Sequence, residues 1–351
     1  MTQDITRRNT RVVKVGAVCV GGGYPIAIQS MTKTKTSHVP ETARQIRQLQ
    51  DAGCEIVRLA VKDNKDAEAI AKIKKLAAIP LVADIHFDWR LALRSIECGA
   101  DKIRLNPGNI SKEAHIREVV QRAKKAKIPI RIGLNSGSIR KSGTQVKVMV
   151  ESCCRYIRIF EELKFYDTVI SLKASDVRTT IEAYRRMADV CDYPFHLGLT
   201  ATGSPFKGAV QSSIAIGSLL LEGIGDTIRV SLTDDPAQEV RTARYILEAL
   251  GLRRFGPRII SCPTCGRCQV DLVTIVKKLE RALERSQMTR PFKIAVMGCE
   301  VNGPGEAMDA DIGIAFGRKE GLLFKNGKPL RKVSLRESIT VVLEEMRRMH
   351  D

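Results

Sequence analysis

The stretch PIAIQSMTKTKTSHVPETARQIRQLQDAGCEIVRLAV (25–61) contains a complete strand–helix–strand pattern. Its two ends, PIAIQSMT (25–32) and EIVRLAV (55–61), are short runs rich in β-forming residues. Between them, Ile46 and Leu49 stand three residues apart among polar residues, which is the spacing of one buried helix face. Two such strands joined by a helix predict a parallel pair with a crossover connection.

Eight β-rich runs of this kind alternate with polar turns and helical patterns along the chain. The runs are PIAIQSMT (25–32), EIVRLAV (55–61), IPLVADIHF (79–87), DKIRLNP (101–107), IPIRIGLN (128–135), DTVISLKAS (167–175), PFHLGLTATG (194–203) and DTIRVSLT (226–233). Eight such units match a closed (β/α)8 TIM-type barrel of about 250 residues better than an open doubly wound sheet. We therefore predict an α/β protein whose residues 1–250 form this barrel.

Nearly every run ends in a polar residue that can bind a ligand. In parallel barrels the carboxyl ends of the strands form the rim on which active sites are built. The candidates at this rim are Arg58, Asp84, His86, Arg104, Asn106, Arg131, Asn135, Lys173, Ser175, His196, Thr200, Arg229 and Ser231. Any one of them is equally explained by a structural hydrogen bond, but together they predict a ligand site at the mouth of the barrel.

Five of these candidates are cations from different runs, namely Arg58, Arg104, Arg131, Lys173 and Arg229. Like charges at one mouth repel and destabilise the fold unless an anion of matching charge binds there. A diphosphate is the natural ligand. The whole chain carries 58 Lys and Arg against 39 Asp and Glu, and the formal charge of +19 is spread along it rather than collected in a basic arm.

Other classes of protein are disfavoured by composition. Aromatic residues make up only 5% of the chain, whereas platforms for single-stranded nucleic acid need stackable rings. No run approaches the ~18 apolar residues of a membrane span, and the first residues lack the apolar core of a signal peptide, so we expect a cytoplasmic protein without membrane contact. GGGYP (21–25) precedes a strand instead of opening a helix, which predicts a turn rather than a dinucleotide site.

Beyond Pro236 the alternation ends, and we place a domain boundary near residue 250. Residues 251–351 show strand, helix, strand, several short strands and a final helix, which predicts a small α+β domain. Asn326 and Gly327 mark a hairpin turn within it.

This second domain carries clustered cysteines. SCPTCGRCQV contains Cys262, Cys265 and Cys268, and MGCEVNGPGEA contains Cys299 and Glu306. Two thiolates in a Cys-x-x-Cys turn can share a metal, and Cys299 follows a second strand. An iron–sulfur cluster, a structural zinc site and a redox thiol pair all fit the spacing; the cluster is favoured because zinc usually needs a second close pair or histidines.

At these motifs the chain resembles the bacterial 4-hydroxy-3-methylbut-2-enyl diphosphate synthases of the non-mevalonate isoprenoid pathway. SCPTCGR and the Cys-x-x-Asn-Gly-Pro-Gly-Glu pattern carry the resemblance, supported by ADIHFD, KIRLNPGN and GIGDTIRVSLTDDP. The resemblance implies a barrel followed by a four-iron four-sulfur (4Fe-4S) domain. It implies reductive ring opening of 2-C-methyl-D-erythritol 2,4-cyclodiphosphate with loss of water, and single electrons from flavodoxin or ferredoxin. It also implies a homodimer in which one subunit's cluster domain covers the other subunit's barrel.

Carried over by motif, the cluster ligands are Cys262, Cys265, Cys299 and Glu306. The resemblance adds catalytic roles for Glu306, His86, Asn135 and Thr200, and substrate binding by Arg58, Arg104, Asn106, Arg131, Lys173, Ser175, Arg229 and Ser231. A carboxylate holds iron less firmly than a thiolate and can give way to a substrate oxygen, which favours Glu306 as the fourth ligand.

Two positions depart from the family pattern. Ala201 follows Thr200 where the family commonly has Thr-Glu, so a carboxylate expected near the substrate is absent. Cys268 is an additional thiol that could replace Glu306, or could be a bystander at the start of the next helix. The competing hypothesis from another class is a basic barrel with a zinc module that binds RNA; sparse aromatics and scattered charge count against it.

Overall fold

The computed structural model describes residues 5–138, 144–200, 202–286, 288, 290–299, 305, 308 and 310–350. The chain divides into two compact units, Met1–Arg253 and Arg254–Asp351. Ala201 and Glu306, for which the sequence makes specific predictions, lie outside the described residues. Within the described ranges, none of the helices combines the length and the apolar composition that crossing a bilayer requires.

The first unit is a parallel barrel, as the repeated strand–helix pattern predicts. Eight strands form one sheet in the order β8-β7-β6-β5-β4-β3-β10-β9, and a parallel bridge between Ile170 and Phe195 brings its two edges together. The strands are β3 (Ala27–Met31), β4 (Ile56–Val61), β5 (Leu81–Ile85), β6 (Lys102–Leu105), β7 (Ile130–Asn135), β8 (Thr168–Lys173), β9 (His196–Leu197) and β10 (Thr227–Ile228). Each lies within one of the eight predicted runs.

Helices connect consecutive strands and cover the outside of the barrel. They are α1 (Val39–Asp51), α2 (Asn64–Lys74), α3 (Trp89–Glu97), α4 (Glu113–Ala126), α5 (Gln145–Glu162), α6 (Val177–Ala188), α7 (Pro205–Leu221) and α8 (Pro236–Ala249). Several begin just after an aspartate whose carboxylate accepts a hydrogen bond from a backbone N–H of the first turn, as Asp63, Asp88 and Asp176 do. Short connections of this kind leave the strand ends free to carry functional side chains.

A hairpin precedes the barrel that the sequence pattern did not predict. It pairs β1 (Val13–Val15) with β2 (Val18–Val20), and its Val15 and Val20 pack in one buried cluster with Ile56 and Val82 near the beginnings of β4 and β5. The hairpin therefore covers part of the amino-terminal end of the barrel. GGGYP after β2 forms a turn whose three glycines all have positive φ, which confirms the predicted turn.

The second unit is a five-stranded sheet with two long helices. Its strands are β11 (Arg258–Ser261), β12 (Lys293–Met297), β13 (Ile312–Phe316), β14 (Glu320–Lys325) and β15 (Lys328–Ser334), and the helices are α9 (Leu272–Ser286) and α10 (Ser338–His350). Strands β11, β12 and β13 are parallel, and β14 and β15 return antiparallel. Asn326 and Gly327 both have positive φ in the β14–β15 turn, as the Asn-Gly pair predicts.

Candidate active site

A cavity of about 240 Å³ lies in the first unit, among side chains from the carboxyl ends of the barrel strands. Its lining comprises Met31, Arg58, Asp84, His86, Arg104, Asn135, Lys173, Leu199, Thr200, Arg229 and Ser231. Eight of the predicted catalytic or substrate-binding residues are among them, including four of the five cations. The parallel strands bring these separate runs to one mouth.

Asp84 on β5 balances two guanidinium groups at this cavity. Its Oδ1 accepts a hydrogen bond from Nη1 of Arg104 at 2.9 Å, and its Oδ2 lies 3.5 Å from Nε of Arg58 and 3.3 Å from Nε2 of His86. Burial alone would raise the pKa of Asp84, but Arg58 and Arg104 outweigh it and hold this pKa well below its usual range. Asp84 is therefore a carboxylate that keeps both arginines in place.

Arg229 is held by a second buried carboxylate. Its Nε and Nη2 atoms lie 3.2–3.4 Å from the carboxylate oxygens of Glu239 on α8, which is 1% exposed. Glu239 also accepts hydrogen bonds from the Ser30 hydroxyl and the Leu232 backbone N–H. The mutual repulsion expected of the rim cations is thus partly offset within the barrel by Asp84 and Glu239, an arrangement that sequence reasoning did not include.

Lys173 ends β8 beside a histidine rather than a carboxylate. Its Nζ lies 3.3 Å from Nε2 of His196, whose Nδ1 lies 2.7 Å from the hydroxyl of Thr227. Burial, followed by the neighbouring cations, lowers the pKa of both Lys173 and His196 well below their usual ranges. Among the described side chains, no carboxylate stands within ion-pair distance of Lys173.

Three residues predicted to bind substrate do not line the cavity. Arg131, near the start of β7, is 1% exposed and lies inside the barrel, where its Nη1 donates to Oε1 of Gln29 at 3.3 Å. The side chain of Asn106 accepts hydrogen bonds from Gly108 N and the Ser138 hydroxyl, and so stabilises its own loop. Ser175 is exposed beyond the end of β8. Arg131 and Asn106 are instead engaged by Gln29 and by the loop after β6.

Lys102 is a buried cation that sequence reasoning missed. It precedes Arg104 by two residues on β6 and therefore faces the same interior, one layer deeper. Its side chain is 0% exposed, and its Nζ has no hydrogen-bond partner among the described residues. Burial, followed by Arg131 and Arg58, lowers the pKa of Lys102 well below its usual range. The sequence KIRL (102–105) did carry a signal for this residue, because side chains alternate between the two faces of a strand and Lys102 therefore shares a face with Arg104.

In the second unit, the cysteines lie where β11 and β12 end, at the carboxyl ends of the parallel strands. We call this side of the sheet the cysteine-bearing edge. Cys262 follows β11, Cys299 follows β12, and these two strands are parallel neighbours with Ser261 opposite Val296. The backbone N–H of Gly298 donates to Sγ of Cys262 at 3.3 Å, and Cys265 is exposed on the same loop. As the described loops stand, no three Cys, His, Asp or Glu side chains are close enough together to hold a metal.

The donor set nonetheless fits an iron–sulfur cluster in type, and its cysteines lie on neighbouring loops. Cys262 and Cys265 lie on the loop after β11 and Cys299 follows the adjacent β12, and an N–H···S hydrogen bond to Cys262 is a contact that stabilises a thiolate ligand. Cys268 differs from Cys262 in its hydrogen bond, because its Sγ donates to the Val270 carbonyl at 3.2 Å, while both side chains pack against the apolar core of the domain. A barrel with a cationic mouth, followed by a domain with cysteines on two neighbouring loops, defines a two-domain iron–sulfur enzyme.

Comparison with known proteins identifies the family. Residues 10–244 match the model of the GcpE TIM-barrel domain, and residues 258–348 match that of the GcpE protein C-terminal domain. The chain therefore belongs to the GcpE family, the 4-hydroxy-3-methylbut-2-en-1-yl diphosphate synthases. These are iron–sulfur oxidoreductases with a 4Fe-4S cluster that act on the cyclic diphosphate in the non-mevalonate pathway, as the sequence motifs predicted.

Two curated relatives match along almost their whole length. Both are named 4-hydroxy-3-methylbut-2-en-1-yl diphosphate synthase (flavodoxin). The protein of Caldanaerobacter subterraneus subsp. tengcongensis is 52% identical over 349 residues, 98% of each chain. That of Thermodesulfovibrio yellowstonii is 52% identical over 350 residues, 98% of this chain and 100% of the relative. The alternative of an RNA-binding zinc protein finds no support in these matches.

A solved structure shows likeness of the fold alone. The dihydropteroate synthase of Xanthomonas albilineans aligns with a TM-score of 0.52 at 12% identity, covering 69% of this chain and 97% of that one. The likeness agrees with a TIM-type barrel as the larger part of the chain.

Proposed function

We propose that the cavity holds the diphosphate of 2-C-methyl-D-erythritol 2,4-cyclodiphosphate between Arg58, Arg104, Lys173 and Arg229. The observation that carries this assignment is the meeting of four cations from β4, β6, β8 and the segment after β10 around one cavity. Charge-assisted hydrogen bonds to phosphate oxygens are the strongest that side chains make, and arginine matches them in geometry. The two carboxylates present, Asp84 and Glu239, are already engaged by arginines and so do not oppose the anion.

The polar side chains of the same cavity suit the remainder of the substrate. Asn135, Thr200 and Ser231 offer an amide and two hydroxyl groups at the mouth. Ring opening with loss of water consumes a proton as well as two electrons, and His86 is placed to hold that proton, since it lines the cavity 3.3 Å from Asp84. We assign the catalytic roles to His86, Asn135 and Thr200 on this basis.

The electrons come through the second unit. We assign Cys262, Cys265 and Cys299 as ligands, with Glu306, which lies outside the described residues, completing the set. When bound there, a 4Fe-4S cluster supplies electrons one at a time, which suits a reaction with two single-electron reductions. The protein's own part is to present three thiolates from two adjacent loops, with Gly298 N bonded to Cys262.

We also propose a homodimer in which the cluster domain of one subunit covers the barrel of its partner. Among the described residues that line the cavity there is no cysteine, so the redox group must be brought to the substrate from another part of the assembly. The lining of the cavity comes wholly from the first unit, whereas Cys262, Cys265 and Cys299 belong to the second.

The electron donor is flavodoxin, and we place its docking surface at the cysteine-bearing edge of the second unit. Strand β13 is parallel to β12, so the turn after Phe316 lies at the same edge as the cysteine loops. Arg267, Arg318 and Lys319 are exposed there, and Nε of Arg318 donates to Gln269 of the cysteine loop at 3.3 Å. A basic rim around the cluster loops suits a carrier that presents an acidic face.

The experiment that tests the function is turnover by anaerobically reconstituted enzyme. Purified protein is supplied with the cyclic diphosphate and reduced flavodoxin, and the hydroxymethylbutenyl diphosphate formed is quantified. The assignment is supported if Cys262→Ser loses product formation and Cys98→Ser keeps it. Cys98 lies on the barrel exterior and serves as the control. Absence of product from a preparation with full iron content and the cluster's visible band would refute it.

A further inference from the structure

Cys268 is a thiol of the cysteine loop to which the proposed ligand set gives no role. It lies six residues after Cys262 on the segment between β11 and α9, and neither thiol is part of a disulfide. Both side chains are partly buried and pack against the same apolar core of the second unit, whereas Cys265 between them is exposed. Cys262 and Cys268 therefore share one environment, while Cys265 faces solvent.

Gly298 brings these two thiols to one point. Its backbone N–H donates to Sγ of Cys262 at 3.3 Å, and its carbonyl accepts at 2.8 Å from the N–H of Gln269, the residue after Cys268. A Cβ built on Gly298 would lie 2.4 Å from Sγ of Cys268 and 3.5 Å from Sγ of Cys262. The two sulfurs are therefore no further apart than these two distances combined.

Two thiols so placed on one short loop suit a disulfide. The N–H of Cys268 donates to the Cys265 carbonyl at 2.9 Å, and this turn brings the chain back toward Cys262. A disulfide needs a sulfur–sulfur distance of about 2.05 Å and Cα atoms roughly 4.4–6.8 Å apart. Rotation of the two side chains toward each other can supply the remaining approach, because both sulfurs already contact the same glycine.

We propose that Cys268 is a resolving thiol for Cys262. When the second unit holds no cluster and a hydroperoxide oxidises Cys262, Cys268 captures the oxidised sulfur in a reversible Cys262–Cys268 disulfide. This inference rests on the proposed assignment of Cys262 as a cluster ligand, because a ligand sulfur is protected from the oxidant only while it binds iron.

The reaction takes place in two steps, written here for hydrogen peroxide. Sγ of Cys262 attacks one peroxide oxygen, the O–O bond breaks, and the products are a sulfenic acid and one water. Sγ of Cys268 then attacks the sulfenic sulfur, the S–O bond breaks, and the disulfide forms with release of a second water. The two thiols give up two electrons and two protons in all, and the peroxide is reduced to two waters.

The disulfide keeps Cys262 available as a ligand. A sulfenic acid that meets no second thiol is oxidised further to sulfinic and sulfonic acids, which thiol reductants do not reverse. A disulfide is instead returned to two thiols by exchange with a reducing thiol. Cys268 thereby allows the cluster site to be rebuilt after an oxidant has destroyed the cluster.

The test is peptide mapping of the full-length protein after its cluster has been removed with a chelator and a small excess of hydrogen peroxide has been added. Trypsin cleaves after Arg267, so peptide 259–267 carries Cys262 and peptide 268–277 carries Cys268. We expect the two peptides to be joined under non-reducing conditions and to be separated by dithiothreitol.

Two serine variants locate the bond. Peptide 259–267 also carries Cys265, so Cys265→Ser should keep the joined pair because Cys262 is the partner. Cys268→Ser should lose the pair, and its Cys262 should accumulate as sulfinic or sulfonic acid. A joined pair that disappears in Cys265→Ser, or a bond from Cys262 to Cys299 in place of Cys268, would overturn the proposal.

Iron rebinding measures the consequence without any assay of turnover. The peroxide-treated apoprotein is reduced with dithiothreitol and reconstituted anaerobically with iron and sulfide. The wild type should regain its iron content, whereas Cys268→Ser should regain several-fold less. Cys98→Ser, which removes a thiol of the barrel exterior, is the matched control and should behave as the wild type. Equal recovery in the wild type and Cys268→Ser would refute the resolving role.

The holoenzyme separates this inference from the ligand assignment on which it rests. With the cluster in place, the same peroxide treatment should give no joined peptides until iron is lost. If holoenzyme of full iron content forms the bond as readily as the apoprotein, Cys262 does not bind iron and the proposed ligand set is wrong. If the cluster protects Cys262 but the apoprotein forms no bond to Cys268, the inference alone is overturned.

Discussion

Arg104 donates from Nη1 to Oδ1 of Asp84 across 2.9 Å, and the two side chains are 3% and 2% exposed. Arg104 Nη2 also donates to the Gly133 carbonyl at 2.7 Å. A Cβ on Gly133 would lie 2.5 Å from Nε of Arg104, so glycine at this point of β7 leaves the room in which the guanidinium lies. The arginine is thereby held between a carboxylate and a backbone oxygen, with its position settled before any ligand arrives.

Asp84→Asn should destabilise the barrel strongly. It leaves Arg58 and Arg104 buried without their counter-ion, and breaking a buried pair costs about 3–5 kcal/mol. Because the pKa of Asp84 is depressed in the folded state, its contribution is present above the ordinary aspartate pKa and is lost as pH falls below it. Thermal unfolding between pH 7 and pH 3 measures both effects. The exposed Asp192→Asn, which loses a pair with Arg11, is the control, and equal losses in the two variants would contradict the prediction.

Arg229→Ala should lower kcat/KM by roughly 10- to 150-fold. The estimate corresponds to the ~1.5–3 kcal/mol of one charge-assisted hydrogen bond to the diphosphate. Steady-state kinetics with reduced flavodoxin measure it, and Arg186→Ala on the outer face of α6 serves as the matched control. Near-normal kinetics in Arg229→Ala would remove this residue from the anion site.

Lys102→Met should stabilise the protein. The buried Nζ has no hydrogen-bond partner among the described residues, and an unsatisfied buried polar group costs about 1–3 kcal/mol. The pKa of Lys102 is lower in the folded than in the unfolded chain, so the unfolded state binds the extra proton and stability rises with pH toward the ordinary lysine pKa. Melting temperatures from pH 7 to pH 9.5 should rise less steeply in the variant. No gain over Lys125→Met, an exposed lysine, would show that Nζ is satisfied.

Reversing charge at the cysteine-bearing edge should weaken the binding of flavodoxin without slowing the reaction at the active site. The double variant Arg318→Glu, Lys319→Glu should raise the KM for flavodoxin roughly tenfold at low ionic strength, with the difference shrinking as salt is added. Turnover with dithionite, a small reductant, should be unaffected. The double variant Lys328→Glu, Arg331→Glu on β15 makes the same charge change, and Lys328 lies beside Lys325, which pairs with the start of β13 at the opposite end of the sheet. Equal effects in both pairs would indicate net charge rather than a docking surface.

Cys268→Ser should retain the cluster. Its Sγ donates a hydrogen bond to the Val270 carbonyl, and a Cβ on Gly298 would lie 2.4 Å from it, so the thiol is packed against backbone. Iron content and visible absorbance after anaerobic reconstitution should match the wild type, whereas Cys262→Ser should lose both. If the Cys268→Ser protein is colourless while the Glu306→Ala protein keeps its cluster, the fourth ligand is Cys268 instead.

Local periodicity was enough to determine the architecture. Alternating β-rich runs and helical spacing predicted eight parallel strands because each strand–helix unit must bury its apolar face against its neighbours. The Asn326-Gly327 pair predicted its turn because both residues tolerate positive φ. The spacing of Cys262 and Cys265 favoured a metal cluster because two thiolates on one turn can reach one site. Such signals span few residues, so they can be recognised in the sequence without knowledge of the tertiary structure.

Only the tertiary structure decided which polar side chains meet and at what depth. Arg104 and Arg131 look alike in sequence and are register partners on β6 and β7, yet Arg104 lines the cavity beside Asp84 whereas Arg131 is buried against Gln29. Glu239 contacts Arg229, and His196 contacts Lys173, only when α8 and β9 pack against neighbouring elements. The sequence therefore determined the barrel, its mouth and the cysteine-bearing domain, since these follow from local patterns. The balance of charge inside the mouth depends on contacts between distant segments, and folding alone brings those together.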